Sequence, residues 1–316
     1  MIYLNNSATS FPKPPIFADA WQRASVKIPG HGTRSTYREA KVPISCRQRL
    51  AKLLHIDDSR RIIYAPNATH ALNMGLLGFP WSKGDVVLTS RAEHNSVLRP
   101  LYSLQKRGMI RYYELDTDKS GRLDMGVYRE ALASLHPRMV IITHASNVTG
   151  AVNDAAVIAD EAKKAGAAVF LDAAQTAGVI PVLPALWNVD MAAFTGHKYL
   201  LGPQGTGALY VSPDIELAPV FTGGTGIYSD LDEMPVDYPI RLEAGTQNEQ
   251  GMEVLGEMLA WAEDHPFDLH RLLEYVYMLE DTLKGLGCSV VPVTGGRTPV
   301  LTFTSPDYAP QISGIC

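Results

Sequence analysis

The sequence predicts an α/β protein: a mostly parallel mixed sheet with helices on both faces, followed by an incomplete small α+β C-terminal domain. Three observations predict it. Short β-rich runs alternate with helix-like stretches through the middle of the chain, the pattern of strands joined by crossover helices. Several of these runs, such as Val140-Ile141-Ile142 and Ala168-Val169-Phe170-Leu171, are apolar throughout, as expected for strands covered on both faces. After Gly251 the pattern changes to long helix and then short strands.

In chain order, strands are expected at 61–65, 85–89, 111–115, 139–144, 167–172, 191–195 and 208–211. Helices are expected at 68–77, 95–106, 125–134 and 154–165 between them. Residues 252–286 read as long helix broken near His265-Pro266, and strands at 288–292 and 299–304 flank a Gly-Gly turn. The domains follow: a large one over 16–265, and a small, incomplete one from 1–15 and 266–316.

Bulk properties narrow the function. Of 316 residues, 46% are hydrophobic and 19% charged, which is ordinary globular composition. Twenty-eight basic against 33 acidic side chains give a net charge of −5, which argues against a broad nucleic-acid surface. The three cysteines, Cys46, Cys288 and Cys316, show no paired or metal-binding spacing, so a reducing, cytoplasmic setting fits and no metal is expected. The start of the chain lacks a basic segment followed by an apolar run. The longest apolar region, 165–187, is broken by Asp172, Gln175, Pro181 and Pro184, and reads as a buried strand and loop, not a membrane span.

In parallel sheets ligands sit beyond the carboxyl ends of the strands, so the polar residues there come next. Asn67-Ala68-Thr69-His70 opens a helix, whose free N–H groups suit a phosphate; a plain N-cap explains the segment too. His94 follows the 85–89 strand and can stack on an aromatic ring or merely be solvated. Asn147 can bond a ligand oxygen or make an Asx turn into Gly150. Asp172 ends the most apolar strand, with Gln175 close behind. A buried carboxylate there needs a positive or hydrogen-bonding partner, a ring nitrogen in one reading and backbone or arginine in another. Lys198 lies just past a strand in Thr195-Gly196-His197-Lys198-Tyr199, among small and hydroxyl side chains that a surface lysine does not need. Thr195 and His197 can hold a phosphate while Lys198 reaches an aldehyde carbon. A Schiff-base lysine paired with an aspartate at a pyridinium nitrogen is the arrangement of pyridoxal 5'-phosphate (PLP) enzymes.

With these residues in place the chain resembles the class V aminotransferase family of fold-type I PLP-transferases, and within it the cysteine desulfurase and selenocysteine lyase branch. The resemblance rests on Tyr3-Leu4-Asn5-Asn6-Ser7-Ala8-Thr9, Glu93-His94-Asn95, Ser146-Asn147-Val148-Thr149-Gly150, Asp172-Ala173-Ala174-Gln175, Thr195-Gly196-His197-Lys198 and Arg241-Leu242-Glu243-Ala244-Gly245-Thr246. It implies that Lys198 forms the Schiff base and moves the substrate's Cα proton. It further implies that His94 stacks on the pyridine ring, that Asp172 keeps the ring nitrogen protonated and that Gln175 bonds the phenolic oxygen, with Asn147 nearby. Thr69, Thr195 and His197 are implied to hold the phosphate together with the Ala68 backbone, Ala68 lacking the hydroxyl often found there. Thr246 is implied to reach the cofactor of a second subunit in a homodimer.

The implied activity is conversion of L-cysteine to L-alanine with sulfur left on the enzyme for an acceptor protein. That chemistry uses a nucleophilic cysteine and a carboxylate-binding arginine in the small domain, and neither is found in the sequence. The three cysteines read as packing residues. Two other readings therefore stay open: transamination, epimerisation or elimination on the same scaffold, which need no cysteine, and a catalytically defective PLP-binding protein.

Overall fold

The computed structural model describes residues 3–27, 45–228 and 230–307. Helix α1 (Phe17–Val26) and helix α2 (Cys46–Leu53) come first. The alternating part follows: β1 (Ile62–Ala65), α3 (Ala68–Gly78), β2 (Asp85–Ser90), α4 (Asn95–Lys106), β3 (Ile110–Leu115), α5 (Met125–Leu135), β4 (Met139–Thr143), α6 (Ala155–Lys164), β5 (Ala168–Asp172), β6 (Met191–Thr195) and β7 (Gly207–Val211). The later part holds α7 (Glu249–Asp264), α8 (Leu269–Gly285) and the short strands β8 (Ser289–Val290) and β9 (Phe303–Thr304).

The main sheet has seven strands in the order β1-β7-β6-β5-β4-β2-β3. It is parallel except at β7, which runs antiparallel to both neighbours, β1 and β6. The expected mixed, mostly parallel sheet is therefore present, and the seven expected strands match within a residue or two. The difference at 61 is physical: Arg61 closes a 3-10 turn capped by Asp58, and the strand begins after it. The long helix expected over 252–286 breaks near His265-Pro266 as expected, into α7 and α8, with Asp268 capping the second through the Arg271 N–H. The strands expected over 288–292 and 299–304 shrink to two residues each, paired antiparallel.

Side-chain alternation explains the layers. On β5, Val169 and Leu171 face one core with Leu50 of α2, Tyr128 of α5, Ile158 of α6 and Leu255 of α7. Ala168 and Phe170 face the other with Leu72 and Leu76 of α3 and Val97 and Leu101 of α4. Each fully buried large aliphatic side chain contributes roughly 1.5–3 kcal/mol. Helices thus cover both faces, and the strand ends at one edge are left for polar residues. Cys46, the first residue of α2, packs at the α2–α7 contact, where a Cβ on Gly256 would stand 3.3 Å from its own. The packing role expected for Cys46 holds; Cys288 is half-buried just before β8, and Cys316 lies outside the described residues. No helix among the described residues is long and apolar enough to cross a membrane.

Candidate active site

The carboxyl ends of β1, β2, β4, β5 and β6 gather the residues singled out in the sequence. Asp172 is the last residue of β5, paired with Thr143 on β4 and Ala193 on β6. It is 4% exposed, and one carboxylate oxygen accepts from the Ala174 N–H at 2.9 Å. Burial raises its pKa, opposed by that N–H and by the charges of Lys198 and His94. No arginine reaches it among the described residues, so it keeps capacity for a cationic partner. Lys198 lies in the connection from β6 to β7. Burial lowers the pKa of its amine, and the Asp172 charge pulls it back up. A lysine with a lowered pKa carries more of the neutral amine that attacks carbonyl carbon.

Thr195 and the start of α3 meet because of a glycine. Gly207 pairs with Thr195 on one side and Ala65 on the other. A Cβ there would stand 2.7 Å from the Phe194 carbonyl oxygen and 2.9 Å from the Asn67 Cα, so only glycine admits this approach. The turn carrying Asn67 and Ala68 is thereby pressed against the end of β6. Asn67 caps α3, its side chain accepting from the His70 N–H at 2.9 Å, so the N-cap reading is correct and coexists with the other. Ala68 is buried, and Thr69 is exposed at the first turn. Thr195 is buried and donates to the Thr206 carbonyl at 3.3 Å.

His94 caps α4, its Nδ1 bonded to the Ser96 hydroxyl at 2.6 Å, and its ring is exposed. A cavity of about 410 Å³ is lined by Thr69, His94, Asn73 and Arg99 among others, joining the first turns of α3 and α4. Gln175 donates through Nε2 to the Ser7 carbonyl at 2.9 Å, while its Oε1 is buried with no partner among the described residues. His197 Nδ1 is likewise buried and without a partner there. Burial, and after it the charges of Lys198 and Lys13, push the His197 imidazole down to about 4, so it is neutral at neutral pH.

Two expected residues make no hydrogen bond to the rest of the group among the described residues. The Asn147 turn is held by Ser146, whose hydroxyl accepts from the N–H groups of Val148 and Thr149 at 3.2 Å. The Asx turn is therefore absent, and the half-buried Asn147 amide is not spent on the loop. Thr246 is exposed, on a loop held at Glu243, with no bond to the other residues of the group.

The sequence reading gave no role to Glu93. It is 7% exposed; Oε1 accepts from the Ser90 hydroxyl at 2.7 Å and the Thr143 N–H at 2.9 Å, and Oε2 has no partner among the described residues. Burial pushes its carboxyl up to about 8, and the nearby Asp172 charge adds to that. It is a neutral acid near neutral pH, one strand from Asp172. Its place beside His94 in the sequence was the available signal.

Comparison with known proteins gives the family and the fold. The class V aminotransferase family model matches residues 2–312. A probable cysteine desulfurase from Methanothermobacter thermautotrophicus is 37% identical over 203 residues, covering 63% of this chain and 50% of the relative. Another from Pyrococcus abyssi is 27% identical over 329 residues, covering 98% of this chain and 80% of that protein. The chain thus spans half the length of the first relative. The apo structure of a cysteine desulfurase from Thermococcus onnurineus superposes with a TM-score of 0.84 at 24% identity, over 98% of this chain and 80% of that one, a likeness of fold.

Proposed function

The chain belongs to the class V aminotransferase family, whose members use pyridoxal phosphate, and from that premise we propose that it is a PLP-dependent enzyme of the cysteine desulfurase type acting on a small amino acid. The observation that carries the proposal is the pairing of Lys198, an amine with its pKa lowered by burial, with Asp172, a buried carboxylate with one backbone partner and room for a cation. The partnerless buried atoms Gln175 Oε1 and His197 Nδ1 suit a polar occupant of the same space.

Bound at Lys198, the cofactor supplies an electron-withdrawing ring that acidifies the Cα–H of an amino acid joined to it. Lys198 would hold the aldehyde carbon of the cofactor, and its amine is the group that would serve as base for the Cα proton. Asp172 stays ionised against a protonated ring nitrogen, because an opposite charge favours the charged form. Glu93, being neutral, leaves Asp172 as the local negative charge. Ala68 and Thr69 offer the first-turn N–H groups of α3, and with Thr195 and neutral His197 they seat the phosphate. His94, oriented by Ser96, would cover the ring face, and Gln175 and Asn147 would be the amides available to its oxygen.

Within this reading the protein is a homodimer in which Thr246 serves the partner's site, and a protein acceptor takes the sulfur. The division into a large domain over 16–265 and a small one from 1–15 and 266–316 belongs to the same proposal. Cys46 is not the sulfur-carrying thiol: it is buried, and burial pushes it up to about 12.

The test is to load the chain with PLP, add L-cysteine, L-alanine or L-selenocysteine with dithiothreitol as the two-electron reductant, and follow the visible spectrum and the products. Alanine with sulfide or selenide supports the proposal. Keto acid points to transamination, and a static spectrum to a protein that only binds PLP.

A further inference from the structure

Four donors converge on one carbonyl. The Ser10 N–H and the Ser10 hydroxyl, each at 3.0 Å, the Thr9 hydroxyl at 3.2 Å and the Lys13 ammonium at 3.1 Å all reach the oxygen of His197. The residue after His197 is Lys198. Lys13 donates also to the Gly202 carbonyl and the Ser10 hydroxyl, both at 2.7 Å, so it spans the stretch from 197 to 202. The same N-terminal segment accepts from Gln175 at Ser7. A carbonyl oxygen has two lone pairs, so the four donors within reach share them, and the peptide plane is held whichever of them engage. Burial pushes the Lys13 amine down to about 8, while three oxygen acceptors around it suit the charged form. The ammonium also lies over the Phe17 ring, with Nζ 5.9 Å from its centre.

We infer that Lys13 is a positioning residue for Lys198: its ammonium clamps the backbone from His197 to Gly202, so the Lys198 side chain starts from one fixed place. The inference rests on Lys198 being the residue that holds the cofactor. A long lysine side chain has many rotamers, and an unfixed root adds to the spread of places its amine reaches. A displacement of about 1 Å at a reacting group can cost on the order of a hundredfold in rate.

The experiment uses the full chain loaded with PLP. Borohydride reduction and peptide mapping of the unsubstituted protein first locate the adduct. An adduct on another lysine overturns the reading of the site, and the clamp with it, before any variant is made. Lys13→Met, Thr9→Val and Ser10→Ala are then compared with Lys119→Met, an exposed control. The readouts are the visible circular dichroism per bound PLP, the rate of PLP release and the melting temperature of the apoprotein. For Lys13→Met the adduct stays on Lys198, the visible ellipticity falls and release quickens by about tenfold, the scale of one lost charge-assisted hydrogen bond. Thr9→Val and Ser10→Ala shift both in the same direction by less. Unchanged ellipticity and release in Lys13→Met, whether or not its melting temperature drops, overturns the inference. Should Lys13→Met fail to fold, unchanged values in both hydroxyl variants overturn it as well.

Discussion

Glu93 and Asp172 are buried carboxyls of one cluster with different fates: Glu93 neutral near pH 7, Asp172 awaiting a cation. Folded Glu93 holds its proton up to about 8, whereas an ordinary glutamate releases it near 4.5. The folded state therefore binds more protons in that range, and stability falls as pH rises through it. His144 and His197, both pushed down to about 4, act in the opposite sense, but only below their ordinary 6.5. Between about 6.5 and 8 these histidines no longer oppose it, and Asp172, whose carboxyl burial also raises, acts in the same sense as Glu93. Urea midpoints of the apoprotein are expected to fall over that window, and Glu93→Gln to flatten the fall. An equal slope in the variant would mean Glu93 is already ionised. Asp172→Asn makes the complementary prediction. It is expected to leave the fold intact and to slow Cα hydrogen exchange in a bound amino acid by at least tenfold, since one pKa unit is about 1.4 kcal/mol. Unchanged exchange, followed by NMR in deuterated water, would remove Asp172 from the ring nitrogen.

At the scale of elements, the strands were the most legible part of the chain, because five of them lie buried on both faces and read as unbroken apolar runs. The direction of β7 was not legible, since a buried strand has the same pattern whichever way it runs. Lys198, Asp172 and His94 were visible because polar side chains at the ends of apolar strands stand out. Lys13 was not. It sits between Pro12 and Pro14 in an irregular segment, and its partners are backbone carbonyls near residue 200, which leave no mark in composition or period. The role of Gly207 was equally hidden, because only the three-dimensional approach of Asn67 shows what a side chain would strike. Two glycines separate packing from cofactor seating. Gly75, inside α3, faces the Phe170 ring, and Gly207 faces the turn before α3. Each alanine variant is expected to cost roughly 1–3 kcal/mol, as overpacking does. Only Gly207→Ala is expected to weaken PLP binding beyond that loss, measured by titrating the apoprotein. Equal PLP affinities in the two variants would show that the start of α3 does not seat the phosphate.

Across the whole molecule, the question is where Thr246 goes. Its loop is rooted by Glu243, which takes Arg47 through two bonds of 2.9 and 3.0 Å and the Tyr64 N–H at 2.6 Å. The Arg47 guanidinium also lies 3.9 Å from the centre of the Tyr64 ring. So firm a root beside an exposed threonine favours a residue presented outward, and a closed two-fold dimer gives it a place to bind. The chain is expected to sediment as a dimer when loaded with PLP, and Thr246→Ala to lose PLP faster on dilution. A monomer with full cofactor occupancy would refute the shared site.

The antiparallel course of β7 has a kinetic consequence. Because β6 and β7 are neighbours that meet at Thr195 and Gly207, the stretch bearing Lys198 is closed by the sheet itself instead of by a long crossover. The Gly196 amide is bonded to the Thr206 carbonyl and the Gly202 amide to the Gly196 carbonyl, each at 2.8 Å. The first bond continues the β6–β7 ladder past Thr195 and Gly207, and the second closes the connection on itself. Deuterium is therefore expected to enter the Gly196 amide as slowly as it enters the sheet, hours after the surface loops have filled.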